Sequence, residues 1–142
     1  MHKKNEYPPL KGLEVFADHL VVEERKDGLV ELRVLPWSDE EEFYIEFDET
    51  AYRAGLSSNP ELDTNLVRYS YESMTTPMST YDFDMKTRER ELKKQVEVLG
   101  GFDSDDYVTE RLWATAEDNT KVPISIAYAK TLQKDGSNPL LL

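Results

Sequence analysis

The sequence has 142 residues, 39% of them hydrophobic and 32% charged, with no cysteine and a net charge of −12. This size and composition predict one modest globular unit, and they argue against disorder, disulfides, thiol catalysis and a membrane span. The negative charge repels phosphate, so nucleic acid is not an expected partner, and the lack of cysteine and of a signal-peptide pattern fits a cytoplasmic location.

The first half of the chain predicts a run of short β-strands after a polar N-terminal tail over residues 1–9. Alternating apolar and polar residues give the strands, and Asp27-Gly28 is a strong hairpin signal. Trp37 follows in a turn, where it is placed to cover the end of the sheet. Residues 48–54 begin with acidic residues as a helix start does, but no apolar period is sustained, so we interpret them as a turn. The predicted strands are residues 13–16, 20–25, 29–35, 42–47 and a short one near 53–57.

The stretch from Leu66 to Gln95 predicts three antiparallel strands and organises the rest of the chain. Its strands are expected over residues 66–71, 80–85 and 91–96, and Pro77 interrupts the ladder between the first two. The last strand is rich in lysine and glutamate, which is how proteins protect an open sheet edge.

Two hairpins in the chain resemble each other in length and pattern. They cover residues 20–35 and 66–85, and they are offset by about 46 to 50 residues, a period typical of β-propeller blades. Since two blades cannot close a propeller, the pattern predicts part of something larger or an assembly of copies.

The composition changes after the second repeat. Val98, Gly100 and Gly101 lie in an irregular stretch, and we interpret them as an interdomain linker. Beyond it we predict a hairpin with strands over residues 107–116 and 121–128, a polar loop over 131–138, and the start of a further apolar strand over 139–142. The fold class predicted is therefore all-β and mainly antiparallel, with two four-stranded blades and a further hairpin.

The chain shows no motif of an active site. His19, at a strand start, is interpreted as a packed or solvated residue, and no zinc pattern or phosphate-binding loop is present. Two acidic runs, residues 39–42 and 103–106, offer oxygen ligands for calcium but lack EF-hand spacing, so we interpret them as solvated loops. Asp82 and Asp84 share a strand face and are expected to face solvent. Core packing is expected of the aromatic set Tyr69, Tyr71, Tyr81 and Phe83.

Four segments and the C-terminal end carry a resemblance to one family. In chain order they are DHLVVEERKDGL (18–29), NPELDTNLVRYSYESMTTP (59–77), YDFDMKTRE (81–89), DYVTERLWATAEDNTKVPISIAY (106–128) and DGSNPLLL (135–142). Together they resemble the oligopeptidase B branch of the prolyl oligopeptidase family of serine peptidases. The resemblance extends over nearly everything from residue 10 onward.

The resemblance implies both an architecture and an activity. Such enzymes have a seven-bladed propeller capping an α/β-hydrolase domain, so residues 10–96 would form the last two blades and residues 97–142 a linker and the first, truncated strands of the peptidase domain. The family hydrolyses short peptides after lysine or arginine with a Ser-Asp-His triad, and the propeller gates substrate access. The triad lies beyond the matched part of the family's sequence.

These implications define what to expect of the chain itself. We expect no catalytic, cofactor-binding or metal-binding residue, no cofactor, and no activity of the isolated chain. Its expected partners are the remainder of the peptidase chain and, through exposed apolar sheet, further copies of itself. Peptide substrate is expected only in the full enzyme, and neither nucleic acid nor membrane is an expected partner. A stand-alone β-sheet module for protein interaction and a calcium-binding protein remain the alternatives.

Overall fold

A computed structural model of the protein describes residues 8–141, and within them nearly every regular element is a β-strand. The first sheet has four antiparallel strands in the order β1-β2-β3-β4, each paired with the strand that follows it in the chain. We call this sheet blade 1. The predicted hairpin turn at Asp27-Gly28 is confirmed, because these two residues join the two long central strands. The strands are β1 Leu10–Val15, β2 His19–Lys26, β3 Leu29–Pro36 and β4 Phe43–Tyr44.

The second sheet repeats the same arrangement, again with four antiparallel strands in chain order. We call it blade 2. Its last strand is exposed at all six positions, as predicted for a charged edge strand. The strands are β5 Tyr52–Leu56, β6 Leu66–Ser73, β7 Ser79–Asp84 and β8 Arg90–Gln95.

A separate two-stranded hairpin follows the second sheet. A short 3-10 helix, Ser104–Asp106, leads into β9 Tyr107–Thr115, which pairs with β10 Lys121–Ala129. One face of this hairpin is apolar and open, since Leu112 and Ile124 lie opposite each other and are 47% and 44% exposed. Two four-stranded sheets and a hairpin confirm the predicted all-β, mainly antiparallel fold class.

The core lies between the two blades, which pack face to face. Period-two alternation along β2 and β3 turns valine and leucine toward blade 2, whose own facing strands supply aromatic rings. Core packing is confirmed for Tyr69, Tyr71 and Phe83, which are buried, while Tyr81 is half-buried and packs against them. Rings of Tyr69 and Tyr81 stack with centroids 5.5 Å apart. The buried core residues are Phe16, Val21, Leu32, Val34, Ile45, Ala54, Val67, Tyr69, Tyr71, Phe83 and Met85.

Two predicted strands differ from the structure. The strand expected over 42–47 is reduced to Phe43–Tyr44, because the chain leaves β3 after buried Ile45, whose N–H makes a last bond to the Leu32 carbonyl oxygen at 2.9 Å. The strand expected at 139–142 is not formed over residues 139–141, where Leu140 and Leu141 are 68% and 96% exposed. That segment has no neighbouring strand among residues 8–141 to supply backbone partners.

Trp37 was placed at the end of the sheet, and the structure puts it there. Its indole Nε1 donates to the carbonyl oxygen of Phe16 at 3.0 Å, while 57% of the residue remains exposed. The ring therefore closes the turn between β1 and β2 rather than filling the core.

Candidate functional site

The residues predicted as a linker lie in the connection from blade 2 to the hairpin. Val98, Gly100 and Gly101 are all exposed, and both glycines have a left-handed backbone, with φ of 101° and 81°. No atom lies within 4 Å of where a Cβ would stand on either glycine. Their role as a domain boundary stays a prediction, but the local geometry is that of an unpacked connector.

One threonine of the hairpin makes hydrogen bonds to blade 2 and to the segment just before it. Thr109 on β9 accepts a hydrogen bond from the Thr50 hydroxyl at its carbonyl oxygen, at 3.4 Å. Its own hydroxyl lies 3.0 Å from that of Thr75 in the turn between β6 and β7. Toward blade 1, the Arg111 guanidinium donates to the carbonyl oxygen of Asp27. Thr109 therefore carries the polar contact between the hairpin and blade 2.

Behind Thr75 lies a carboxylate surrounded by hydroxyl groups, which we call the Glu49 cluster. Its members are Glu49, Tyr71, Ser73, Thr75 and Thr76. Glu49 Oε1 accepts from Ser73 at 2.5 Å and Thr75 at 2.6 Å, and Oε2 accepts from Tyr71 at 2.8 Å and Thr76 at 2.7 Å. The donors come from the end of β6 and the turn that follows, in which Pro77 has no N–H to continue the ladder.

The electrostatics of the cluster follow from its hydrogen bonds. Burial alone would raise the pKa of the Glu49 carboxyl, but the four hydroxyl donors outweigh it and hold that pKa below its usual value. Burial, followed by the hydrogen bond to Glu49 and the charge of Glu49, raises the pKa of the Tyr71 hydroxyl. Glu49 is therefore ionised and Tyr71 neutral at neutral pH.

The chemistry open to Glu49 is limited by this saturation. A carboxylate has about four lone-pair sites, and hydroxyl donors fill all of them here. It has no free site with which to act as a general base or to bind a cation. Among residues 8–141, no group of three or more His, Asp or Glu side chains is arranged to hold a metal ion. The Glu49 cluster therefore stabilises the β6–β7 turn, and Thr109 of the hairpin contacts this turn through Thr75.

Removing the Thr109 hydroxyl should loosen the hairpin without unfolding the blades. We expect Thr109→Val to raise amide hydrogen exchange in β9 and β10 by about fivefold to tenfold, since one hydrogen bond contributes about 1 kcal/mol. Thr80→Val is the matched control, because Thr80 lies half-buried on β7 outside the cluster. Equal exchange in both variants, measured by mass spectrometry, would show that Thr109 does not hold the hairpin.

Other predicted residues have different surroundings from those expected. Asp82 was expected to face solvent, and that is wrong: it is 8% exposed and accepts two hydrogen bonds from the Arg68 guanidinium, at 2.7 and 2.8 Å. These hydrogen bonds hold the pKa of the Asp82 carboxyl below its usual value. Asp84 is half-buried and accepts from the backbone N–H groups of Lys86 and Thr87, which fixes the β7–β8 turn. Neither carboxylate forms a catalytic pair.

The remaining candidates behave as structural residues. His19 is 4% exposed at the start of β2, which agrees with the packed interpretation. The acidic runs 39–42 and 103–106 are exposed throughout, as expected of solvated loops. Asp103 also caps the short 3-10 helix by accepting from the N–H of Asp105 at 2.9 Å.

The sequence analysis missed the Glu49 cluster. Its donors lie 22 to 27 residues from Glu49 in the chain, so no local spacing indicates it. The one available signal was the hydroxyl-rich run from Ser73 to Thr76, which is common in turns and points to no particular partner.

No helix within residues 8–141 has the length and apolar character needed to cross a membrane.

The sequence matches the model of a known domain family over most of its length. The N-terminal β-propeller domain of prolyl oligopeptidase matches residues 3–96. The chain is 47% identical over 133 residues to dipeptidyl aminopeptidase BI of Pseudoxanthomonas mexicana, covering 93% of this chain and 18% of that protein. It is 33% identical over 138 residues to protease 2 of Moraxella lacunata, covering 97% of this chain and 20% of that protein.

Solved structures give the same picture. Oligopeptidase B from Trypanosoma brucei, in a closed form with covalently bound antipain, is 34% identical and superposes with a TM-score of 0.80 over 96% of this chain. Oligopeptidase B from Leishmania major is 28% identical, with a TM-score of 0.78 over 92% of this chain. This chain covers 20% of each of those structures, so it spans about a fifth of the length of its relatives.

Proposed function

Because this chain belongs to the prolyl oligopeptidase family, we propose that it forms the propeller-to-hydrolase portion of a larger serine peptidase. That peptidase hydrolyses short peptides after lysine or arginine. The observation that carries the proposal is the likeness to oligopeptidase B of Trypanosoma brucei, which extends over 96% of this chain and so includes the hairpin as well as both blades. Within residues 8–141 no hydroxyl is hydrogen-bonded to a histidine, and the Glu49 carboxylate beside Ser73 and Thr75 has no free acceptor site, so we expect the chain to be inactive on its own.

In this proposal the blades restrict access and the hairpin joins them to the catalytic part. The two blades share one core, so they form one rigid unit that limits access to the catalytic part to short, unfolded peptides. The open apolar face of the hairpin, with Leu112 and Ile124, is covered by the remainder of the peptidase chain. Where that remainder is removed, the same face drives association of the isolated chains.

A second activity is favoured by one observation. The dipeptidyl aminopeptidase from Pseudoxanthomonas mexicana is 47% identical to this chain, against 33% for protease 2 from Moraxella lacunata. The alternative activity is therefore release of dipeptides from the N-terminus of a peptide. The two activities differ in whether a free substrate N-terminus is needed.

The proposal is tested on the natural gene product, captured from source cells with an antibody against this chain. We expect a band several times larger than 16.5 kDa that cleaves an N-blocked arginyl substrate and spares folded proteins. Cleavage of dipeptidyl substrates with a free N-terminus alone would favour the second activity. An inactive band at the mass of the chain would overturn both and favour an interaction module.

A further inference from the structure

We propose that the cleft between the two blades binds a short extended peptide, which adds as a strand to the free edge of β5 and places a basic side chain on Glu23. This rests on the proposed function, because the ligand belongs to the substrate class proposed there. It goes beyond that function in assigning a binding site for the peptide to the blades themselves.

The cleft is lined by an entire strand. It has a volume of about 550 Å³, and all five residues of β5 contribute to its wall, together with Glu23 and Arg25 of β2. Such a volume falls within the range of small-molecule sites, about 300–1,000 Å³, and so accommodates a few peptide residues. Gly55 adds no side chain to the wall, and this leaves room for the Glu23 carboxylate, since Glu23 Oε2 lies 3.6 Å from where a Cβ would stand on Gly55.

The edge of β5 offers backbone groups to the cleft. On one side, β5 pairs with β6, and the bond from Ser57 N–H to the carbonyl of Arg68, at 3.0 Å, continues that ladder. Antiparallel pairing alternates, so every second residue directs its N–H and C=O the other way. Leu56 is one of these, because its N–H donates to Glu23 Oε2 at 3.0 Å.

Tyr52 and Ala54 have the same orientation as Leu56, at two-residue spacing. Within residues 8–141 their N–H groups make no hydrogen bond outside the sheet. A peptide that pairs with this edge would accept hydrogen bonds from these two N–H groups, as Glu23 accepts one from the N–H of Leu56. Strand addition of this kind supplies main-chain hydrogen bonds, and side-chain pockets then supply specificity.

Glu23 supplies the charge that selects a basic residue. One carboxylate oxygen is held by Leu56, while Oε1 has no hydrogen-bond partner in the described part of the chain. The side chain is half-buried, so a cation that reaches it gains more than at an exposed carboxylate.

Among the charged side chains of the cleft, Glu23 is the one that attracts a basic residue of the peptide. Arg53 and Glu72 pair with each other at 3.3 Å. Arg25 also lines the cleft, but it is exposed, so the high dielectric constant of water weakens its repulsion of a cation. An arginine or lysine side chain therefore finds one half-buried carboxylate with a free acceptor.

The test is an NMR titration of the isotope-labelled chain with the blocked peptide acetyl-Ala-Arg-Ala-amide. We expect saturable amide shifts centred on Tyr52, Ala54 and Gly55. The same peptide with citrulline in place of arginine should bind about fivefold to tenfold more weakly, because it keeps the shape but loses the charge. Shifts that do not saturate, or that lie elsewhere, would overturn the proposal, and so would equal affinity for the two peptides.

Two controls separate the roles of the strand edge and the carboxylate. Methylating the backbone nitrogens of the peptide removes its donors while the protein stays unchanged, and should weaken binding by about fivefold or more. Glu23→Gln should abolish the preference for arginine, since its amide oxygen can still accept from Leu56 and preserve the fold. Glu117→Gln, in the exposed hairpin turn, should leave the preference unchanged. Binding that ignores methylation, or a preference that survives Glu23→Gln, would contradict strand addition or the carboxylate contact.

The outcomes also distinguish this site from the proposed function. If the natural gene product cleaves arginyl peptides while this chain binds none, only the assignment of the binding site to the cleft fails. If the chain binds the peptide while the natural gene product cleaves no arginyl substrate, the proposed specificity of the peptidase is wrong and the cleft is still a peptide-binding site.

Discussion

Replacing Tyr69 by alanine is expected to lower the free energy of unfolding by about 3–5 kcal/mol, the cost typical of deleting a buried aromatic ring. Tyr69 is 0% exposed and sits where the two blades meet. Its ring stacks on Tyr81 and meets Phe47 edge-on, with centroids 5.5 and 5.7 Å apart. Urea unfolding followed by fluorescence gives the change, with Tyr107→Ala as a half-exposed aromatic control expected to cost less than about 1 kcal/mol.

A milder change at the same position separates the ring from its hydroxyl. The Tyr69 hydroxyl is buried beside the Arg90 guanidinium but makes no hydrogen bond of good geometry among the described residues, and burial raises its pKa to about 12. Removing an unsatisfied buried polar group costs little, so Tyr69→Phe should keep or slightly raise stability, within about 1 kcal/mol. A loss of several kcal/mol in Tyr69→Phe would mean that the hydroxyl has a partner in solution.

Glu49→Ala is expected to have the next largest effect, a loss of about 1–3 kcal/mol in the free energy of unfolding. The change removes the acceptor of the hydroxyls of Tyr71 and Thr75, two residues that are each 7% exposed. Glu46→Ala is the matched control, since Glu46 is exposed three residues away and makes no side-chain hydrogen bond within residues 8–141. Equal stability of the two variants would contradict the role of the Glu49 cluster.

The same carboxylate gives a pH dependence with a definite sign. The folded-state pKa of Glu49 lies below its ordinary value of 4.5, so the unfolded state binds the proton more readily. The stabilisation is present above pH 4.5 and is lost as the pH falls through the lower, folded-state pKa. Thermal melts of the protein and of Glu49→Gln should therefore differ most near neutral pH and converge in acid. A difference that grows in acid would have the wrong sign.

Local patterns were sufficient for most of the fold. The Asp27-Gly28 turn, the alternation along β2, β3, β6 and β7, and the charged edge at β8 are each encoded within a few residues, and all were predicted. The strand over residues 42–47 was overextended because burial alternates there as in a strand, while backbone hydrogen bonding to β3 ends with the bond from the Ile45 N–H to the Leu32 carbonyl oxygen. The pattern of apolar side chains predicts which face of a segment is buried. Whether the backbone of that segment pairs depends instead on the presence of a neighbouring strand.

The polar contacts were harder to predict, for a different reason. Asp82 is buried because the register of β6 and β7 sets it opposite Arg68, a relation visible only after the two strands are aligned. Glu49 accepts hydrogen bonds from residues at the end of the blade 2 sheet, and Thr109 contacts Thr75, which lies 34 residues away in the sequence. Such contacts depend on tertiary placement, so no window of sequence contains them.

The connector between blade 2 and the hairpin shows a constraint that contacts do not reveal. No atom lies within 4 Å of where a Cβ would stand on Gly100 or Gly101, so packing does not exclude a side chain there. Their left-handed backbone nonetheless disfavours every L-amino acid with a Cβ, whatever its size. The constraint at both positions is therefore one of chirality: a D-alanine would satisfy the backbone where an L-alanine strains it. Among the genetically encoded residues, glycine is the one that follows this path across the connector without strain.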